Sequence, residues 1–417
     1  MAISKTSKTW VIASILVFFL LVEFVSAQAP WPGSGTEGDP YQIRDANDLN
    51  ALGADPNYYS AHFKLISDVN LSGFTYTTAV IAPARTATYP FDGTPFTGVF
   101  DGNDYVIANL DIDTAGASNY FLGLFGEIAS GATIENLGIV NASITGGTSS
   151  NYISGLAGWN DYATIRQCYS TVTLTGRQYL GGLVGINYRG DVTDCYSSGS
   201  VSGDSDVGGL VGVNNNGTIS KCYSSGAVFG SFSVGGLVGK NTQSGSISRC
   251  YSTGPVSGSS SVGGLVGQSS SDIMDPATVS QCYSTGAVFG NSTVGGLVGY
   301  IYETTISQCY STGAVSGETS VGGLVGYRMS GGAGQSYWDE WTSGQTSSMG
   351  GTGKTTFEMK QQATYTGWDF VDTWYIVEDA IYPIHSWTLT FYRGDLNLDG
   401  YVNFFDFAIM AEHWLQY

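Results

Sequence analysis

Cations are scarce in this chain. Of 417 residues only 15 are Lys or Arg, against 34 Asp or Glu, for a formal net charge of −19. That balance excludes nucleic acid as a partner, because phosphate binding relies on basic groups that displace counterions. It equally excludes a polybasic membrane-surface role. Charged residues of both signs make up 12% of the chain, about half the usual ~25%. Histidine is nearly absent: His62, His385 and His413 are scattered, and neither H-E-x-x-H nor G-x-S-x-G occurs, which removes those metalloprotease and hydrolase signatures. What is abundant is glycine, 59 residues, within a chain that is 42% hydrophobic, enough apolar material for a sizeable core.

Residues 1–27 read as a secretory signal. Lys5 and Lys8 supply the positive start, Val11 to Val22 the apolar run, and Val25-Ser26-Ala27 a small-residue cleavage site before Gln28. The apolar run falls short of the ~20 residues a spanning helix needs, and no later segment is long and apolar enough to cross a bilayer. The expectation is a secreted, extracellular or cell-surface protein with no membrane span once the signal is removed.

The interior of the chain is dominated by a repeat. Gly-Gly-Leu-Val-Gly begins at Gly181, Gly208, Gly235, Gly263, Gly295 and Gly322, with weaker versions at Gly123 and Gly155. Cys-Tyr-Ser begins at Cys168, Cys195, Cys222, Cys250, Cys282 and Cys309, and an Ile or Val stands three residues before each Cys. Counting by the same period extends the ladder forward to Ser336 and back to Leu137 and Leu110, with Ile134 and Ile107 as their companions. Each unit holds short runs of Val, Ile, Tyr and Thr cut by Gly and Ser, without the period of a helix. One unit cannot bury its own apolar face, whereas stacked units share a core. The pattern predicts an all-β fold: a parallel β-solenoid of about nine 27-residue coils, roughly 38 Å long at the ~4.8 Å strand spacing. A propeller blade needs about 40–45 residues. The Gly-rich turns serve positive φ or close coil-to-coil approach.

Six cysteines in an exported chain ordinarily imply three bridges. Here each occupies the same slot of its coil, so their side chains stack ~4.8 Å apart in parallel, whereas a disulfide wants Cβ atoms ~3.8 Å apart and turned together. The expectation is an interior thiol ladder in which Cys acts as a small buried hydrophobe, with the following Tyr on the opposite face.

Both open ends of a solenoid need covering. Asp45 to Leu52 is the best helical stretch near the front, and the aromatic-dense segment from Trp338 to Trp387 is the natural rear cap. Its rings, among them Trp341, Trp368, Phe370, Trp374, Tyr375 and Tyr382, also allow a sugar-binding platform. The longer 32-residue spacing between Cys250 and Cys282 places an insert near Ser269 to Pro276. Gly350 to Thr355 mimics a phosphate loop, but Ser348 stands where the motif needs Gly. The pairs Asp204/Asp206 and Asp111/Asp113 are spaced for a shared strand face, which fits a solvated edge better than an acid–base pair.

The tail, Gly394 to Asp406, places oxygen side chains at calcium-loop positions 1, 3, 5, 9 and 12 with Gly400 at position 6. Asp395, Asn397 and Asp399 would bind Ca²⁺ directly, Tyr401 through its carbonyl and Asn403 through water, with Asp406 closing the shell. Phe407 to Leu415 reads as an amphipathic helix able to pack back.

Two family resemblances follow. The Gly-Gly-Leu-Val-Gly and Cys-Tyr-Ser repeats, with Phe96-Thr97-Gly98-Val99-Phe100-Asp101-Gly102-Asn103 upstream, resemble GLUG-motif repeats of bacterial surface proteins and IgA-protease-like metallopeptidases. No peptidase motif accompanies them, so that activity is not implied. The tail resembles one dockerin repeat, matched at Asp395, Asn397, Asp399, Asn403 and Asp406. Dockerins usually carry two, so calcium binding and attachment, to a cohesin-like or cell-surface anchor, is what the resemblance implies. The resulting organisation is a signal (1–27), an N-terminal capping region (28–95), the solenoid (96–337), an aromatic-rich cap (338–390) and a dockerin-like calcium module (391–417). As a whole the chain reads as a non-catalytic adhesive or spacer solenoid. The alternative is a component of an extracellular complex that binds or degrades polysaccharide, with an extracellular glycan as partner.

Overall fold

The computed structural model describes residues 29–390, with 87, 273 and 274 excepted. The signal segment and the calcium-loop tail, Asp395 to Asp406 included, lie outside the described residues. Within them no helix is long and apolar enough to cross a membrane.

From Tyr41 onward the chain winds as a β-solenoid whose successive coils pair in parallel. A representative coil runs through Val184–Tyr188, Asp191–Thr193, Tyr196–Ser197, Val201–Ser202 and Ser205–Gly208. Each strand pairs with its counterpart 27 residues on, as Val184 with Val211, Val192 with Ile219 and Tyr196 with Tyr223. Parallel strands buried on the core side carry near-continuous Val, Ile and Leu, and Leu183, Val192, Val201 and Val207 are fully buried. Of the glycines, Gly209 shows why the Gly-Gly turn tolerates no side chain. A Cβ there would stand 2.1 Å from the Gly236 carbonyl oxygen of the next coil. Close approach is thus the glycine's task, while left-handed backbone falls on other residues, such as Tyr152, Tyr179 and Asp206 at φ 63, 61 and 56.

The solenoid is longer than the repeat markers indicate. The flank carrying the Ile/Val slot is an 11-stranded sheet beginning at Tyr41–Ile43 and His62–Leu65, so coils already occupy part of the segment expected to be only a cap. Those turns lack both markers because Phe63 and Phe100 fill the slot that Ile fills later: Phe63 faces Phe100, and Phe100 faces Ile134. The back-counted register also fails here. Ile107 pairs with Ile139, and Asp111 with Ser143, so Leu110 belongs to a different rung from Leu137. Several apolar interior positions recur within each coil, and counting 27 back from Leu137 lands on the wrong one once early coils lengthen. The front helix forms at Ala46–Ala54, with Asp45 capping the amides of Asn47 and Asp48 as an N-cap carboxylate does. Leu49 and Leu52 are buried beneath it.

The rear segment covers a flank as well as an end. Tyr337–Asp339 pairs with Thr352–Lys354, adding a last partial rung. A four-residue helix, Thr356–Met359, follows with a capping box between Thr355 and Glu358. The phosphate-loop look-alike is no loop between a strand and a helix, because its own Thr352–Lys354 forms the strand, and Lys354 Nζ is spent on Glu358 at 2.9 Å. Met359, Tyr365, Trp368 and Trp374 then pack back against Tyr251, Tyr283 and Tyr310 of the coils.

Candidate functional site

The cysteine slot is a hydrogen-bonding column as well as an apolar one. All six thiols are buried and unbridged. The amide of Cys250 donates to Cys282 Sγ at 3.4 Å, and the Cys282 thiol in turn donates to the Ser280 carbonyl at 3.0 Å. Ser336 continues the column, accepting from the Cys309 amide at 3.1 Å and donating to the Gly334 carbonyl. Burial pushes the Cys168, Cys222 and Cys282 thiols up, away from ionisation, and an un-ionised thiol is a poor nucleophile and metal ligand.

On the outer side, Tyr169, Tyr196, Tyr223, Tyr251, Tyr283 and Tyr310 stack with centroids 4.8 to 5.0 Å apart. The rear segment covers the later part of this column. Tyr310 donates to the Pro383 carbonyl at 2.6 Å, and Trp368 Nε1 to that of Gln335 at 3.0 Å. His385 is buried against Trp374 at 4.6 Å and bonds the Gln281 carbonyl at 2.8 Å; its burial pushes its pKa down to about 4. Trp368 and Trp374 are thus consumed by packing, leaving Trp341, 85% exposed, and Phe357 of the rear segment as open rings. The acid pairs are not brought into one site. Asp204 is exposed, while Asp206 is partly buried beside Ser205. The 32-residue interval forms its insert between Val266–Ser270 and Ala277–Ser280, with Asp272 bridged to Asp275.

A cleft at the front of the solenoid is assembled from two columns of side chains. One is Phe121, Tyr152 and Tyr179, all in left-handed backbone, stacked at 4.6 and 4.8 Å. The other is the residue that follows the closing glycine of each Gly-Leu-x-Gly turn: Glu127, Trp159, Ile186. Trp159 lies 5.6 Å from Tyr152 and 6.2 Å from Tyr188. A loop from an earlier turn closes the far side, with Phe91 edge-on to Phe121 and Tyr89 5.7 Å from Trp159. This open cleft measures about 390 Å³ and is lined by Tyr89, Phe91, Glu127, Trp159, Asp161 and Tyr188 among others.

Electrostatics set this cleft apart. Burial, followed by the charge of Asp161, pushes the Glu127 carboxyl up to about 7. Burial also raises Asp161, opposed by a hydrogen bond from Trp159 and by the Arg189 guanidinium. That guanidinium bonds the Tyr162 hydroxyl and lies 5.5 and 5.3 Å from the Tyr162 and Tyr188 rings. Further along the columns the character changes: the positions after Tyr179 and Ile186 are Asp206 and Val213, then Ser233 and Lys240. Sequence reasoning missed this cleft. Its signal was the column after each closing glycine, where an acid and a Trp stand in front of aliphatic and polar residues.

Comparison with known proteins supports the repeat. The family model described as the GLUG motif matches residues 176–202, 230–257, 258–288 and 290–316. Halomucin of Haloquadratum walsbyi is 37% identical over 133 residues, which are 32% of this chain and 1% of that protein. Among solved structures, a Bacteroides ovatus protein provisionally described as an immunoglobulin A1 protease aligns at a TM-score of 0.47 and 20% identity. It covers 85% of this chain and 94% of its own. An IgA1 protease aligns at 0.45 and 14%, covering 81% of this chain and 25% of its own. The activity in those names stays with those proteins.

Proposed function

We propose that this chain is an exported display solenoid: a rigid stack of GLUG coils that presents its flanks for adhesion at the cell surface and is attached through a calcium-organised, dockerin-like tail. The observation that carries the reading is the register. From Cys168 to Cys309, Cys stands on Cys and Tyr on Tyr coil after coil, and a quasi-one-dimensional stack of that kind is suited to holding surface groups at fixed spacing. Support for the tail is the oxygen-ligand spacing at Asp395, Asn397, Asp399, Tyr401, Asn403 and Asp406.

The test is surface labelling of cells producing the full chain or a chain ending at Thr390. The full chain is expected on the outer surface and released by a calcium chelator, with the shortened one in the medium. Retention of both, unaffected by the chelator, overturns attachment by the tail.

A further inference from the structure

We infer that the front cleft between Tyr89, Trp159, Tyr188 and the Glu127/Asp161 carboxylates binds an organic cation, a protonated amine or quaternary ammonium carried by a small molecule or by an amino-sugar polymer. The inference deepens the display reading by naming what the flank holds, but it does not depend on the tail or on attachment.

Three observations converge. First, four of the lining residues, Tyr89, Phe91, Trp159 and Tyr188, are aromatic, and the face of such a ring attracts a cation by ~0.5–1 kcal/mol when exposed and about 2 when desolvated. Second, the molecule already uses neighbouring rings in that way, since the Arg189 guanidinium rests over Tyr162 and Tyr188. Third, Glu127 lacks a charge partner: among the described residues none forms an ion pair or hydrogen bond with its carboxylate, and the nearest influence on it is the like charge of Asp161. A partly buried carboxylate beside another is costly without compensation, and a ligand cation supplies it.

The alternative is a neutral sugar, stacked on Trp159 and hydrogen-bonded by the acids. It would leave Glu127 without a cationic partner, since Arg189 acts on Asp161 and not on Glu127. The packing is also local. The stacked column Phe121–Tyr152–Tyr179 gives way to Asp206 and Ser233 in the following coils, so the rings are not a general property of the repeat. The left-handed backbone of that column continues at Asp206, Ser233, Ser261, Thr293 and Ser320, so it belongs to the coil; what is local to the front is the aromatic identity of Phe121, Tyr152 and Tyr179, stacked behind Trp159.

The experiment is calorimetric titration of the mature full chain at pH 8 with choline, with a tetramer of glucosamine, and with the N-acetylated tetramer as the neutral control. Because the amino group is largely neutral at high pH, the glucosamine arm is repeated at pH 7. Binding of choline identifies a small-cation site. Binding of the glucosamine tetramer with no response to choline identifies an amino-sugar polymer. Either is expected to be at least tenfold stronger than the acetylated control. Glu127→Gln, which keeps shape and removes charge, is expected to weaken cation binding about tenfold, while Trp159→Phe, which retains a ring, weakens it less. Equal binding of the acetylated tetramer, an unchanged affinity in Glu127→Gln, or no binding of either cation overturns the inference. Loss of tail attachment in the cell assay leaves it standing.

Discussion

The Cys309 amide donates to the Ser336 hydroxyl at 3.1 Å, the same bond that the Cys282 amide makes to the Cys309 thiol at 3.4 Å. In the last rung the Ser336 hydroxyl takes the place of sulfur as acceptor for the amide of the coil before it. Cys250→Ser is therefore expected to shift stability by less than about 1 kcal/mol. Cys250→Ala leaves the buried Cys222 amide without its acceptor and should cost about 1–3 kcal/mol. Urea unfolding of the two variants beside the parent checks the order.

The same burial predicts chemical silence. A thiol reagent added to the native protein should label none of the six cysteines, and should label all six after unfolding without prior reduction. Labelling that needs a reductant would mean that bridges replace the ladder.

His385 gives the rear segment a pH dependence. Its folded pKa, near 4, lies below the unfolded value of 6.5, so the unfolded chain takes up the proton first as pH falls. The stability of the neutral histidine is fully present above pH 6.5 and is lost progressively down to about 4, by roughly 3 kcal/mol in all. The groups around it are the Tyr251, Tyr283, Trp374 and Trp387 rings, the Gln281 carbonyl and the Arg249 charge. Tryptophan fluorescence during acid titration should report a transition in that window, and His385→Gln should remove it.

Cation binding at the front cleft should strengthen as pH rises through about 7, because Glu127 ionises there. The other titratable groups lining or flanking the cleft include Asp161, Tyr89, Tyr188 and Arg189, with Tyr152, Tyr179 and Tyr162 behind them. Measured with choline, whose own charge does not vary with pH, the step should be present in the parent and absent in Glu127→Gln.

The interior was legible in the sequence because its constraints repeat. The Cys slot, the Ile/Val slot three residues before it and the close-approach glycines recur with nearly constant spacing. The first coils were not, because Phe63 and Phe100 fill the Ile slot at irregular intervals and no Gly-Gly-Leu-Val-Gly marks them. The cleft was hidden for a different reason. Tyr89 and Phe91 come from a loop that only the winding of the solenoid brings to Trp159 and Phe121. The density of rear rings was legible as a cap and, as the lesser alternative, as a platform; Trp374 and Tyr365 are buried on the tyrosine column.

The most direct test of the display-and-attach account is calcium titration calorimetry on the mature full chain and on a chain ending at Thr390. The account predicts one calcium site in the full chain and none in the shortened one. Absence of uptake by the full chain, or equal uptake by both, would contradict it.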